Sequence, residues 1–210
     1  MTEGRKDGRW LRVAALAVAA FSLSVFPSFR RLCAQDTLPT GYGTLKRDDI
    51  VVRFATDQIA IQVLPLAQSV IRLLAPDTYK SLTQLVKTKR AEIDAVAQRA
   101  GVTRPTLVMV TFLGVVPQAR FNPEDLNITS QGRLYRPAGI VPLSPTWSSY
   151  QLDAREQAVA IYVFDEGISF QETLSVSYQD VTNNGWRGVL PLLERERSRV
   201  LARAGLDRSP

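Results

Sequence analysis

The chain contains no histidine and a single cysteine, Cys33. Without histidine, no Ser-His-Asp or Cys-His arrangement can form. No remaining side chain has an unperturbed pKa near neutrality. Zinc held by His is excluded, and one cysteine cannot build a Cys site or an internal disulfide framework. There is no Walker loop, and Gly41-Tyr42-Gly43 lacks the flanking strand and helix that a phosphate cradle requires. No run of oxygen ligands at alternating spacing fits a calcium loop. Internal repeats and low-complexity tracts are also missing. What is left for chemistry is carboxylate, lysine or tyrosine. No catalytic residue, cofactor or metal site is therefore expected, and the protein is expected to be non-enzymatic.

The first 34 residues have the layout of a secretory signal peptide. Arg5, Lys6, Arg9 and Arg12 make a positive start, Val13 to Phe26 is an uncharged apolar run, Pro27 breaks it, and the small residue Ala34 follows. The run is well short of the ~20 residues needed to span a bilayer. Cleavage after Ala34 is expected, with an uncleaved N-terminal membrane anchor as the rival. Arg30, Arg31 and Leu32 before Cys33 do not suit lipid attachment. The formal charge of +6 belongs largely to this leader, which holds six basic residues and two acidic ones. The rest of the chain is close to neutral, at about +2, and has no dense basic cluster, so nucleic acid is not an expected partner. The expected destination is periplasmic or secreted, and the Ala/Arg-rich style of the leader leads to the expectation of a bacterial protein.

An apolar fraction of 45% supports a folded body rather than a disordered one. Residues 35–47 are rich in turn formers and read as an extended lead-in to a single domain over 48–205, with a frayed tail over 206–210. Ile50–Thr56 and Ile59–Leu64 alternate with period two around Asp57-Gln58, the pattern of a β-hairpin. The period then becomes helical. Leu66, Ala67, Val70, Ile71 and Leu74 follow Pro65, a suitable first-turn residue. A second helix is expected from an Asp77 cap to a Gly101 stop, with Leu82, Leu85, Val86, Ile93, Val96, Ala97 and Ala100 along one stripe.

Leu107–Leu113 and Ala158–Phe164 are apolar on both faces and predict buried central strands. Leu126–Ile128 and Arg133–Tyr135 flank a turn at Ser130-Gln131-Gly132. Residues 137–150, with Pro137, Pro142 and Pro145, read as a long connection. Leu174, Val176 and Tyr178 alternate with polar residues as in a half-exposed strand. Asn183-Asn184-Gly185 is a turn signal, and residues 189–204 are expected to be helical. Segregated elements predict an α+β fold with an antiparallel sheet or sandwich, a helical insertion after the first hairpin and a C-terminal helix.

Phe121-Asn122-Pro123-Glu124-Asp125-Leu126, Gly132-Arg133-Leu134-Tyr135, Glu156-Gln157-Ala158, Ile161-Tyr162-Val163-Phe164-Asp165 and Leu174-Ser175-Val176-Ser177-Tyr178 together form a pattern. It resembles a family of secreted bacterial immunoglobulin-like β-sandwich domains of unknown function. The resemblance implies an immunoglobulin-like sandwich and a non-catalytic module outside the cytoplasm. It supplies no functional residues.

Three acidic pairs, Asp48-Asp49, Glu124-Asp125 and Asp165-Glu166, are adjacent in sequence and fall at strand ends or turns. Neighbours in a strand point to opposite faces, so adjacency does not make a shared site. A glycan hydrolase would need two carboxylates roughly 5–10 Å apart in a cleft. Aromatic residues in loops offer flat apolar faces with polar handles that suit a sugar or a partner's pocket. Trp147 with Tyr150, and Trp186 with Arg187, are the candidate contacts on this ground. The expected function is an exported, non-enzymatic binding or structural module, with an envelope protein or a glycan as partner. The alternatives are a carboxylate-dependent hydrolase of envelope or extracellular glycans, and a membrane-anchored assembly factor.

Overall fold

A computed structural model describes residues 38–206; the leader, Cys33 and residues 207–210 lie outside the described residues. The segment Leu38 to Lys46 packs against the body, with Leu38 and Leu45 buried. Leu45 bridges Leu74 in parallel, and a Cβ on Gly43 would overlap the backbone of Leu73 and Leu74. Glycine at 43 is what permits this close approach.

Strands β1 (Val52–Ala55) and β2 (Ile59–Pro65) form the expected antiparallel hairpin. Pro65 ends β2, opposite Val108, instead of opening a helix. The helix predicted over residues 66–74 is a single turn, α1 (Gln68–Ile71), with Val70 and Ile71 buried. Helix α2 (Pro76–Thr88) places Pro76 in its first turn, where the missing N–H costs nothing. Asp77 lies inside that turn and makes no capping bond; it remains favourably placed near the positive end of the helix. The expected continuous helix bends at Lys89 (φ −93°, ψ 7°), and α3 (Arg90–Arg99) continues. The bend keeps Leu82 and Ile93 both buried. Gly101 stops α3 as expected. Its N–H reaches Gln98 O at 3.1 Å and that of Val102 reaches Ala97 O at 2.9 Å, the paired bonds of a Schellman cap.

Beyond lie β3 (Thr106–Gly114), β4 (Ala119–Arg120), a 3-10 turn (Pro123–Asp125), β5 (Leu126–Ser130) and β6 (Arg133–Tyr135). The expected connection over 137–150 is partly structured. It holds β7 (Gly139–Pro142) and a 3-10 turn (Pro145–Ser149). Then come β8 (Gln151–Leu152), β9 (Gln157–Phe164), β10 (Leu174–Tyr178), β11 (Val181–Asn183) and α4 (Trp186–Leu206). Helix α4 begins before the expected residue 189. The Asn183 side chain accepts a hydrogen bond from the Gly185 N–H at 2.6 Å, so the turn signal there also opens the helix.

The fold is α+β with antiparallel sheets. One sheet has the order β1-β2-β3-β9-β7 and another the order β11-β10-β5-β6; β4 and β8 pair separately. β3 and β9 are inner strands of the first sheet, which explains why both are apolar on two faces. The register sets Val108, Val110 and Phe112 opposite Tyr162, Ala160 and Ala158 on one face. From that face Phe112 meets Tyr178 of β10, ring centroids 5.5 Å apart. The opposite face carries Gly139, opposite Val163, and a Cβ on Gly139 would overlap Val96 of α3. A helix thus covers one side of the first sheet, and the second sheet meets its other side. Among the described residues no helix is long and apolar enough to cross a membrane.

Candidate functional site

Phe112, Phe121, Trp147, Tyr162, Phe164 and Tyr178 form a connected aromatic group. Phe112 stacks on Phe121 at 4.8 Å, and Trp147 sets its edge against Phe121 at 5.4 Å and Tyr162 at 6.0 Å. Such pairs hold one another in fixed orientation and are worth about 0.5–1.5 kcal/mol each beyond area burial. The Tyr162 hydroxyl donates to Pro123 O at 2.8 Å, and the Tyr178 hydroxyl accepts from the Asn122 N–H at 2.9 Å. Two strands of different sheets therefore hold the segment Asn122–Asp125 from beneath. Burial raises the pKa of Tyr162 well above its ordinary value, helped by Tyr178, Asp125 and Glu124 nearby. Burial also raises that of Tyr178, with Asp125 adding to it and the Asn122 N–H opposing.

Above this group opens a cleft of about 1080 Å³. One wall is the 3-10 turn with Asn122, Glu124 and Asp125. Another is Arg136 with β7, and Trp147, Tyr150 and Gln179 complete the lining. Asn122 Nδ2 donates to Asp125 Oδ1 at 2.8 Å, Gln179 Nε2 approaches Asp125 Oδ2 at 3.4 Å, and Asn127 Nδ2 donates to Asp125 O at 3.0 Å. Asp125 is thereby tied into the wall. Glu124 and Arg136 are exposed, and neither makes an ion pair among the described residues. Asn127 Oδ1 is buried with no donor among the described residues. An unmet acceptor of this kind costs about 1–3 kcal/mol.

The loop that carries Trp147 and Tyr150 is held at several points. Ser144 Oγ accepts from the Val159 N–H at 2.9 Å, Thr146 Oγ1 donates to Gln157 O at 2.6 Å, and the Phe121 N–H donates to Tyr150 O at 3.0 Å. Tyr150 ends the 3-10 turn in the left-handed region, at φ 52° and ψ 19°. A bulky side chain there is uncommon and persists only where the surroundings enforce it.

The four residues singled out from the sequence separate into two pairs. Trp147 and Tyr150 both line the cleft, Trp147 from within its floor and Tyr150 at its mouth, 52% exposed. Trp186 is fully buried in the first turn of α4. It donates Nε1–H to Phe170 O at 3.2 Å and sets its ring against Phe170. Its face is therefore occupied by the core. Arg187 is exposed on α4 and does not line the cleft. Of the acidic pairs, Glu124-Asp125 lines the cleft, whereas Asp165 approaches Arg133 at 3.4 Å away from it. Asn122, Arg136 and Gln179 were not visible as site residues in the sequence, because they come from segments far apart in the chain. Among the described residues no group of three or more Cys, Asp or Glu side chains is placed to hold a metal ion.

No protein-family model, curated protein or solved structure matches this chain.

Proposed function

We propose that this chain is an exported, non-enzymatic binding module of the bacterial envelope or extracellular space, and that the cleft is its binding site. The observation that carries the proposal is the joining of an exposed aromatic, Tyr150, to Glu124 and Arg136, neither ion-paired among the described residues, in one large cleft. A concave site with a few convergent polar groups is the usual form of a ligand pocket. In the finer fold reading, the two main sheets form an immunoglobulin-like sandwich like that of the secreted family the sequence resembles. The Phe112–Tyr178 contact and the Tyr162–Pro123 hydrogen bond support it. Helices α2 and α3, inserted between β2 and β3, are an addition to that pattern.

The test is photo-crosslinking in cells from a benzoylphenylalanine placed at Gln179, with fractionation and an intact mass of the exported protein. The proposal expects a start near Gln35 and a crosslinked adduct in the envelope or medium. A cytosolic protein that keeps its leader, or the absence of any adduct, overturns it. A start that retains the leader in the membrane fraction would favour an anchored assembly factor instead.

A second reading, a carboxylate-dependent glycan hydrolase, draws on Glu124, which lines the cleft without an ion-pair partner among the described residues. Asp125 beside it is already engaged by Asn122 and Gln179. Turnover of a glycan by the wild type that disappears in Glu124→Gln would establish it.

A further inference from the structure

Granted that the cleft is the ligand site, we infer that its occupant is an uncharged oligosaccharide stacked on Tyr150. Tyr150 is the most exposed aromatic ring of the cleft, and the chain around it is held in place. Its carbonyl is held by the Phe121 N–H at 3.0 Å, and its ring packs edge-on to Phe121, which packs in turn on Trp147. A platform fixed in this way loses little entropy when a ligand binds. A pyranose ring presents a face of C–H groups that fits a π surface, while its hydroxyls remain free at the edges. The exposed face of the tyrosine ring offers that surface.

The polar lining selects against charge. Glu124 only accepts hydrogen bonds, Arg136 only donates them, and the Gln179 amide does both. An anion would call for donors throughout and a cation for acceptors throughout. A sugar hydroxyl donates once and accepts twice, so a mixed lining satisfies it at every position.

The backbone at the cleft argues against the main rival, an extended peptide added to the sheet. β7 is an edge strand of its sheet and lines the cleft. Pro137 precedes it and Pro142 ends it, and neither has an N–H to offer a new strand. Prolines on an edge block pairing of that kind.

The experiment is calorimetric titration of the full chain with cellotetraose and with chitotetraose, repeated for Tyr150→Ala, Tyr150→Phe and Arg187→Ala. The urea midpoint of each variant is measured alongside. The inference expects at least one of the two sugars to bind. Tyr150→Ala should weaken it by about tenfold or more, and Tyr150→Phe and Arg187→Ala by less than about threefold, with unfolding midpoints retained. Equal binding by the wild type and a folded Tyr150→Ala variant overturns the inference, as does failure of both sugars to bind. If both sugars fail while the Gln179 crosslink still captures a partner, the sugar assignment falls and the binding cleft stands. If the crosslink fails too, both fall.

Discussion

Glu196, in the C-terminal helix α4, accepts hydrogen bonds from both the N–H and the hydroxyl of Thr44, 152 residues earlier in the chain, at 2.9 and 2.8 Å. Arg203 Nη1 reaches the same carboxylate oxygen at 3.0 Å and also donates to Tyr42 O at 2.6 Å. The Glu196 side chain is 1% exposed. The segment that begins the described body is thus strapped to the helix that ends it. Removing the carboxylate leaves Thr44 N–H without its acceptor and Arg203 without its nearest counter-charge. Glu196→Ala is expected to cost about 2–4 kcal/mol, measured by urea unfolding at pH 7. A loss below about 0.5 kcal/mol would show that the strap contributes little.

The same carboxylate makes stability depend on pH. Burial acts to raise the Glu196 pKa, but hydrogen bonds from the Thr44 hydroxyl, Arg203 and the Thr44 N–H, with the Arg203 charge, outweigh it and hold the pKa below the ordinary value. A group depressed on folding stabilises the native state above its unfolded value, about 4.3, and that contribution is lost as pH falls through the lower folded value. The stability gap between the wild type and Glu196→Gln should therefore be widest near neutrality and shrink below about pH 4. A gap that is constant from pH 7 to pH 3 would contradict this.

The two phenols under the cleft act in the opposite direction. With the Tyr162 and Tyr178 pKa values raised by burial, folding favours their neutral forms. Their contribution is complete below the unfolded value of about 10 and disappears as pH rises through the folded values. An absorbance titration near 295 nm should show Tyr162 ionising only together with alkaline unfolding. Tyr162→Phe leaves Pro123 O without its donor and is expected to cost about 1–2 kcal/mol. Ionisation of every tyrosine in the intact fold would rule this out.

Trp186 and Tyr150 should respond differently to truncation. Trp186 is fully buried and bonded to Phe170 O, so Trp186→Ala is expected to cost about 3–5 kcal/mol. Tyr150 is half exposed and left-handed, so Tyr150→Ala should change stability by less than about 1 kcal/mol. Chemical denaturation of the two variants side by side is the check. Similar losses would mean that Tyr150 is a packing residue.

Much of the body was legible from local pattern. β3 and β9 are apolar on both faces because each face of their sheet is covered, and alternation in β10 places Leu174, Val176 and Tyr178 inward. The stop at Gly101 needed only local hydrogen-bond logic. β7 was missed because Pro137, Pro142 and Pro145 look like a connection, and an edge strand tolerates proline where a central one does not. Trp186 looked like a loop aromatic because Asn183-Asn184-Gly185 marks a turn, and the same residues open a helix. The cleft was half legible: Trp147 and Tyr150 stand out as aromatics in a loop, whereas Arg136 and Gln179 join them only through the sheet topology. The Thr44–Glu196 strap has no local signature at all.

The most direct test follows the two tryptophans of the body separately. In the full chain carrying Trp10→Phe, fluorescence is recorded during titration with cellotetraose and chitotetraose, once with Trp186→Phe added and once with Trp147→Phe added. A saturable change from Trp147 beside the cleft, with no change from Trp186 in the core, is the predicted result. A change reported by Trp186 alone would place the ligand elsewhere and contradict the account.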